Sequence, residues 1–372
     1  MKSLWGSFWS GVNRLTAPPS PLTLRANVFS SSNPPKPNSF SVTSYNILAQ
    51  EYITDKHYPH CQTKFKHEKH REVQVLKEIE YLNSDIYALQ EVSESAFFSL
   101  YSRLKEKGYR GHYAQKPFRP EGLATFYNES KFNLKDLKLF DFDKKLIEMC
   151  KKKRIDPGRY GVLQRNVALF LLLEAKNENG NGLNEHQSKP SFICGNVHIH
   201  WDWRRKDFQA LQIALTLQSL FEFSKSKKIP YVMCGDFNVQ PNSLPYTLLT
   251  KGKLNDEEWS EFRILQSQQQ GKRKNQNLLS IFEEDIGHPC TNINSAYFKG
   301  LGREPDFTNY TPLFKGCLDY IMYSENLLEL EQILNIVPET ELVKLKACPN
   351  KYFPSDHLSL KANFSFPTLL NC

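Results

Sequence analysis

The sequence predicts an α/β (α+β) fold, a two-layer β-sandwich flanked by helices. Two observations carry this. Short apolar or alternating runs of strand length recur from Ser39 to the C-terminus, and two longer stretches place apolar residues at helical spacing. Many short strands with few long helices are satisfied by sheets packed on each other with helices outside.

In chain order, Phe40 to Tyr45 alternates like a half-buried strand. Residues 67–83 carry Val73, Leu76, Ile79 and Leu82 on one helical face. Asp85 to Gln90 reads as a strand, and Leu123 to Tyr127, Val167 to Leu173 and Phe192 to Val197 follow. Residues 207–223 set Phe208, Leu211, Ala214, Leu215, Leu217 and Leu220 along a second helix. Tyr231 to Cys234 and Leu318 to Tyr323 are further strands, and Leu358 to Phe364 closes the chain. Two stretches look inserted: a polar loop over residues 176–190, and residues 252–280, dominated by Gln, Lys, Asn and Glu. There is no internal repeat and no second core, so one catalytic domain is expected over residues 39–368.

The chain of 372 residues is long enough to bury a core without disulfide or metal staples. With 40% hydrophobic and 24% charged residues, bulk disorder is excluded. The longest clear apolar run, Val167 to Leu173, is far short of the ~20 residues of a membrane-spanning helix. The eight cysteines contain no CxxC pair, which removes the main support for zinc-ribbon and thioredoxin-like readings. Cys194 and Cys234 sit in apolar runs, where a free thiol is a small core residue, so the compartment reads as reducing.

The net charge, 48 − 40 = +8, is unevenly spread. Met1 to Gln50 holds Lys2, Arg14, Arg25 and Lys36 and no acid, leaving 44 − 40 = +4 on the rest. A +4 body is a weak invitation to nucleic acid by charge alone. In residues 1–38, Trp5, Phe8, Trp9, Val12 and Leu15 recur at helical spacing before a run of prolines from Pro18. Amphipathic, Arg-containing, Ser-rich and acid-free is the pattern of a mitochondrial transit peptide. A mitochondrial location is therefore expected, with cytoplasm or nucleus as the alternative. A disordered tail or a membrane-surface helix would fit the same residues.

The informative feature is the polar punctuation of the strands. Six elements each deliver an amide, carboxylate or imidazole: Asn46; Gln90 and Glu91; Asn196 and His198; Asp236 and Asn238; Asp319; Asp356 and His357. Metal-assisted phosphoester hydrolysis requires such a set. Mg²⁺ takes oxygen ligands, which Glu91 and Asn46 supply. A carboxylate such as Asp236 can orient and deprotonate a water. Asn238 can hold that carboxylate or donate to phosphate, and His198 and His357 can donate to the charge growing on the phosphoryl oxygens. Asp319 behind a histidine would raise its pKa and fix its tautomer. Each motif alone is more often a capped turn or a solvated strand end; the six together, in this order, are specific.

In this order, with the strings Ser44 to Gln50, Leu89 to Val92, His198 to Asp202, Phe307 to Thr311, Phe314 to Tyr320 and Pro354 to Leu358, the chain resembles the endonuclease/exonuclease/phosphatase (DNase I-like) superfamily. Within it, the resemblance is to the branch of carbon-catabolite-repressor-type deadenylases, angel and nocturnin. It covers residues 40–366 and implies the DNase I-like fold. It further implies Asn46 and Glu91 as metal ligands, Asp356 near a second metal position, and Mg²⁺ as cofactor with Mn²⁺ able to substitute. Asp236 would activate the nucleophile, Asn238 contact the phosphate, Asp319 back His357 on the scissile phosphate, and His198 bind from the other side. Asn196 and Phe314 fall on the substrate side, Phe314 matching an aromatic that stacks on a base, which suits single-stranded RNA.

The chain departs from that branch at Glu121 to Ala124, where the usual string is Asp-Gly-Cys-Ala, at Val197 in place of threonine, and at Trp203 in place of proline. Arg204 and Arg205, with Lys206, are candidates to grip phosphates beyond the scissile one, against a solvated helix start. Trp201 and Trp203 offer a stacking wall, with burial of at least one the plainer expectation. Lys151 to Arg154 reads as a solvated loop before a nucleic-acid contact.

The functional expectation is a 3′–5′ exoribonuclease, with poly(A) a candidate substrate. The alternative is a phosphatase on terminal nucleotide phosphates, a 2′,3′-cyclic phosphate or a 2′-phosphate. An inactive RNA-binding scaffold is opposed by the intact Glu91, Asp236, Asn238 and His357, and a lipid phosphodiesterase by the Phe314 string. The expected partner is single-stranded RNA or a nucleotide 3′-end. No leucine-rich repeats precede the first strand, so docking into a deadenylase complex by that route is not expected.

Overall fold

The computed structural model describes residues 25, 27–28, 36, 39–176, 189–224, 229–269, 278–290 and 292–367. Its strands are β1 (Asn27–Val28), β2 (Ser39–Asn46), β3 (Ile86–Ser93), β4 (Tyr109–Gln115), β5 (Glu121–Asn128), β6 (Phe132–Asp141), β7 (Val167–Ala175) and β8 (Ser191–His198). There follow β9 (Tyr231–Asp236), β10 (Ile293–Ser295), β11 (Asn309–Tyr310), β12 (Lys315–Gly316), β13 (Asp319–Ser324), β14 (Glu329–Leu334) and β15 (Leu360–Ser365). One sheet runs β1-β14-β15-β2-β3-β5-β4, a second runs β10-β13-β9-β8-β7-β6, and β11 pairs with β12.

The two large sheets face each other. Phe40, Val42, Ile86 and Ala88 of the first pack on Leu171, Phe192, Cys194, Val232 and Ile321 of the second, and the Phe40 and Phe192 rings stack at 4.3 Å. The outer face of the first sheet is covered by helices Glu68–Leu82 and Glu94–Glu106. The outer face of the second is covered by helices Phe142–Lys153, Lys206–Ser224 and Leu244–Lys251. The expected sandwich flanked by helices is what forms.

Topology brings the polar strand ends together. Two adjacent strand pairs, β2/β3 and β8/β9, are parallel, and each is joined by a helix, as a parallel crossover requires. Register aligns Asn46 with Gln90 and His198 with Asp236. Antiparallel β13 starts where β9 ends, with Asp319 opposite Asp236, and β15 begins opposite Ser44, so the preceding His357 lies at the same edge.

Several expectations are corrected. Val73 is 48% exposed; the helix buries Val75, Ile79 and Leu82 together with Arg71 and Glu78, a face whose polar members are paired and so escape an apolar count. Within residues 252–280, which look inserted, Asp256–Gln269 is a helix that buries Phe262, while residues 270–277 lie outside the described residues. Gln, Glu and Lys are good helix formers, and composition alone misread them. Lys151 to Lys153 close the helix Phe142–Lys153, where cations complement the C-terminal dipole. Residues 177–188 of the loop between β7 and β8 lie outside the described residues, as does residues 1–24 of the leader. Arg25, however, is buried against the first sheet and β1 pairs with β14, so the body extends upstream of Ser39. All seven described cysteines are buried and unpaired. Among the described residues no helix is long and apolar enough to cross a membrane.

Candidate active site

At the shared strand edge a cavity of about 590 Å³ opens, lined by Glu91, Lys116, Glu121, His198, Asp236, Asn238, Phe314, Asp356 and His357 among others. Its volume lies in the range of small-molecule sites, roughly 300–1,000 Å³. Asp236, the last residue of β9, is its centre. Asp236 Oδ2 accepts from Asn46 Nδ2 at 3.0 Å and lies 3.6 Å from both His198 Nε2 and His357 Nε2. Asp236 Oδ1 accepts from the Asn238 backbone N–H at 3.0 Å. Gly235 is required beside it, since a Cβ there would sit 2.2 Å from Val197 O.

Behind His357, Asp319 Oδ2 lies 2.8 Å from Nδ1 and accepts from Thr308 Oγ1 at 2.6 Å. Burial alone disfavours the His357 imidazolium, but the Asp319, Asp236 and Asp356 carboxylates outweigh it and hold its pKa well above the usual value. Burial, partly offset by His357 and reinforced by Asp319, pushes Asp236 up to about 7. His198 runs the opposite way. Burial first, then Lys116, His357 and His200, hold its pKa well below the usual range. Lys116 Nζ lies 3.1 Å from His198 Nδ1, and an ammonium only donates, so the proton of the neutral imidazole is on Nε2, facing Asp236.

Glu91 sits in a bulge of β3 at φ +53°, and Asn238 is also at φ +53°. Two non-glycine residues in the left-handed region at one site fit strain held for function. Glu91 Oε1 accepts from Asn46 Nδ2 at 3.0 Å and Oε2 from the Ala49 N–H at 3.1 Å. Asn46 Oδ1 accepts from the Leu48 N–H, so the amide braces Glu91 against Asp236. Burial raises the Glu91 pKa, and the nearby Glu121 and Asp356 carboxylates raise it further. Asp356 Oδ2 accepts from Tyr58 Oη at 2.9 Å and Asn309 Nδ2 at 3.1 Å.

This concentration of buried carboxylates fits a divalent cation. Hard oxygen donors converge from Glu91 and Asp356, and ligand atoms of Asp236, Asp319 and His357 lie within 4.8 Å of one another. Neighbouring carboxylates help to raise the Glu91 and Asp236 pKa values, a repulsion that a bound cation would relieve.

Not every expected residue is here. Asn196 is fully buried between the sheets: Nδ2 donates to Leu89 O and Ala124 O, and Oδ1 accepts from Gln90 Nε2. Its bonding capacity is filled, so it clips the sheets together and does not line the cavity. Arg204 is committed to Asp202 through two bonds of 2.8 and 2.9 Å, and Arg205 to Asp207 at 3.1 Å and to Tyr160 O at 3.2 Å. Neither lines the cavity. Trp201 and Trp203 are both exposed, at 65% and 64%, contrary to the expected burial of at least one; Trp201 lines the cavity. Phe314 is partly exposed and lines it too.

Sequence reasoning missed Lys116, whose Nζ is 2.9 Å from Glu121 Oε1 as well as 3.1 Å from His198. A lone lysine at a strand end carries no signal of its own. It also missed Gln209, whose Nε2 donates to His200 O and Asn238 O from the helix Lys206–Ser224, and Thr308 and Asn309, which sit in a string noticed for its resemblance without being given roles.

Residues 43–357 match the model of the Endonuclease/Exonuclease/phosphatase family. The chain belongs to this family. Its Asp236 centre and Asp319–His357 pair are thus seen in a family member with its polar strand ends assembled. Among relatives within the family, a Neosartorya fischeri protein named CCR4-Not complex 3′-5′-exoribonuclease subunit Ccr4 is 29% identical over 90% of this chain and 48% of its own length. An Arabidopsis thaliana protein, carbon catabolite repressor protein 4 homolog 1, is 30% identical over 90% of this chain and 59% of its own. The chain thus spans about half the length of these curated relatives. The crystal structure of ANGEL2, described as a 2′,3′-cyclic phosphatase in complex with adenosine-2′,3′-vanadate, superposes with a TM-score of 0.70 at 28% identity, covering 91% of this chain and 98% of that one. The human nocturnin catalytic domain follows at 0.63 and 23%, covering 94% and 100%, a likeness of fold. These relatives are the branch the sequence motifs resemble.

Proposed function

We propose that this family member is a metal-dependent phosphodiester hydrolase acting on RNA, a 3′–5′ exoribonuclease. The observation that carries it is Asp236 placed 3.6 Å from two imidazoles of opposite pKa tendency, in one cavity with Glu91 and a partly exposed Phe314. Phe314 offers a face for a terminal base, and the cavity accommodates a nucleotide.

Glu91 and Asp356, with Asp236 adjoining, would hold Mg²⁺ or Mn²⁺, which when bound stabilises charge on the phosphoryl oxygens. Asp236 orients a water and takes its proton, a role favoured by a pKa pushed up to about 7. The new O–P bond forms as the P–O3′ bond breaks, and the leaving oxygen takes a proton from solvent. His357, kept protonated by Asp319, donates to the phosphate, and His198 donates from Nε2 on the other side.

A second reading, removal of a terminal 2′,3′-cyclic or 2′-phosphate, is favoured by the likeness to the ANGEL2 structure. End-labelled RNAs bearing 3′-hydroxyl, 3′-phosphate and 2′,3′-cyclic ends separate the two. A ladder of shortened products supports the exonuclease; loss of the end group without shortening supports the phosphatase and overturns the first reading. EDTA should abolish either activity and Mg²⁺ or Mn²⁺ restore it; turnover insensitive to chelator would contradict the metal role. The transit-peptide reading of residues 1–38 supports mitochondrial import as a further proposal, tested by fusing those residues to a fluorescent reporter.

A further inference from the structure

The hairpin between β4 and β5 ends in Lys116, Pro117, Phe118 and Arg119. Phe118 at its tip is 87% exposed and has φ +56°. Across from it, in the segment leading into β7, Arg165 has φ +66°. Its guanidinium lies over the Phe118 ring, 4.9 Å from the centroid, and Nη1 donates to Phe118 O at 3.4 Å. The Arg165 backbone N–H is itself held by Asp143 Oδ1 at 3.0 Å.

An exposed phenyl ring in a left-handed backbone, covered by an arginine in the same condition, does nothing for the core. Sparsely populated backbone conformations persist where the surroundings impose them, and they cluster at ligand clamps. Here the position is informative. Lys116 and Arg119 flank Phe118, Gln164 and Asn166 flank Arg165, and all four line the candidate cavity. The pair therefore stands on the rim. Exposed Trp201 also lines this cavity, and Arg119 is close enough to act electrostatically on both Tyr52 and His200, which line it too. Among the described residues neither Arg119 nor Arg165 forms an ion pair.

We propose that Phe118 and Arg165, with Arg119 and Trp201, form a second nucleotide subsite that stacks a base of single-stranded RNA upstream of the nucleotide in the cavity. The chemistry matches single strands: an aromatic face and a guanidinium plane for any base, and two unpaired cations for the backbone phosphates on either side of it. The inference rests on the proposed RNA substrate and adds that affinity grows with strand length beyond the terminal nucleotide.

The test is binding of fluorescein-labelled oligoadenylates of two, four and eight nucleotides to the full chain in EDTA, followed by anisotropy. The wild-type protein should bind tighter as length increases. Phe118→Ala and Arg165→Ala should each lose about tenfold in affinity for the eight-nucleotide strand, the order of one stacked base. Phe118→Trp should retain the affinity, and its indole fluorescence should be quenched by the strand. Affinity of Phe118→Ala for the long strand within twofold of wild type would overturn the subsite. So would a concentration-dependent dimer that dissolves in Phe118→Ala, because the ring would then serve a second copy. RNA turnover by the wild-type protein with no gain from length would overturn the subsite and leave the exonuclease reading standing. Absence of RNA binding and turnover altogether would overturn both.

Discussion

Asp236 sits between two imidazoles that the same cavity drives apart. Burial acts alike on both, and what separates them is the neighbour on the far nitrogen: a carboxylate behind His357, an ammonium behind His198. Replacing Asp319 by Asn should lower kcat by about a hundred- to ten-thousand-fold, since general acid–base positioning contributes on that scale. The fold should persist, checked by steady-state kinetics beside circular dichroism. Asp236 must be ionised to accept a proton, and its pKa is pushed up to about 7. Activity without added pressure from substrate, read as kcat/KM, should therefore fall as pH drops through the neutral range. Lys116→Met should be destabilising by about 3–5 kcal/mol, because it leaves Glu121 buried without its cation. The double variant Lys116→Met, Glu121→Gln should recover stability in urea but not activity, as His198 still lacks its Nδ1 donor.

The elements supply what no single motif can. The helix Lys206–Ser224 looked amphipathic from its leucines, yet it is buried nearly all round. Its polar residues face inward to hold loops: Gln209 donates to His200 O and Asn238 O, and Gln212 accepts from the His200 N–H. Gln209→Ala should cost about 1–3 kcal/mol by leaving buried carbonyls unpaired, measured by urea unfolding. It should also lower kcat, because Asn238 holds Asp236. The strand ends Asn46, Glu91, His198 and Asp236 were legible because each closes a short strand-like run, and Asp319 because it opens one. Their convergence needs two parallel crossovers placing four strand ends on one edge. Val73, exposed on the helix Glu68–Leu82, was misjudged because that helix buries Arg71 and Glu78 on its inner side.

At the scale of the molecule, the first sheet is closed by a residue far upstream. Arg25 Nη1 lies 3.5 Å from Glu78 Oε1, both side chains 1% exposed, and donates to Ser359 Oγ at 2.7 Å, while Arg25 Nε donates to Asn335 O at 2.8 Å. A chain beginning at Ser39 should therefore be less stable than one beginning before Arg25, by about 3–5 kcal/mol, the cost of stranding a buried charge. Arg25→Ala in the full chain should reproduce the loss. Burial raises the Glu78 pKa above its unfolded value, partly opposed by Arg25. A raised carboxylate pKa makes the folded state bind more protons, so the loss should be smaller in acid and grow as pH rises. Urea midpoints at two pH values check both the size and the sign.

The sequence by itself determined the sandwich, the order of the polar strand ends and the likeness to a family, because these depend on local periodicity and on short strings that read the same in any context. Tertiary structure decided which of those groups are free. Asn196 and Arg204 carry the right chemistry, but partners fill their bonds: Leu89 and Ala124 for the amide, Asp202 for the guanidinium. Lys116, Phe118 and Arg165 carry no motif, yet folding sets them at the mouth of the cavity. Hydrogen-bond saturation and exposure belong to neighbours distant along the chain, and only packing makes them neighbours.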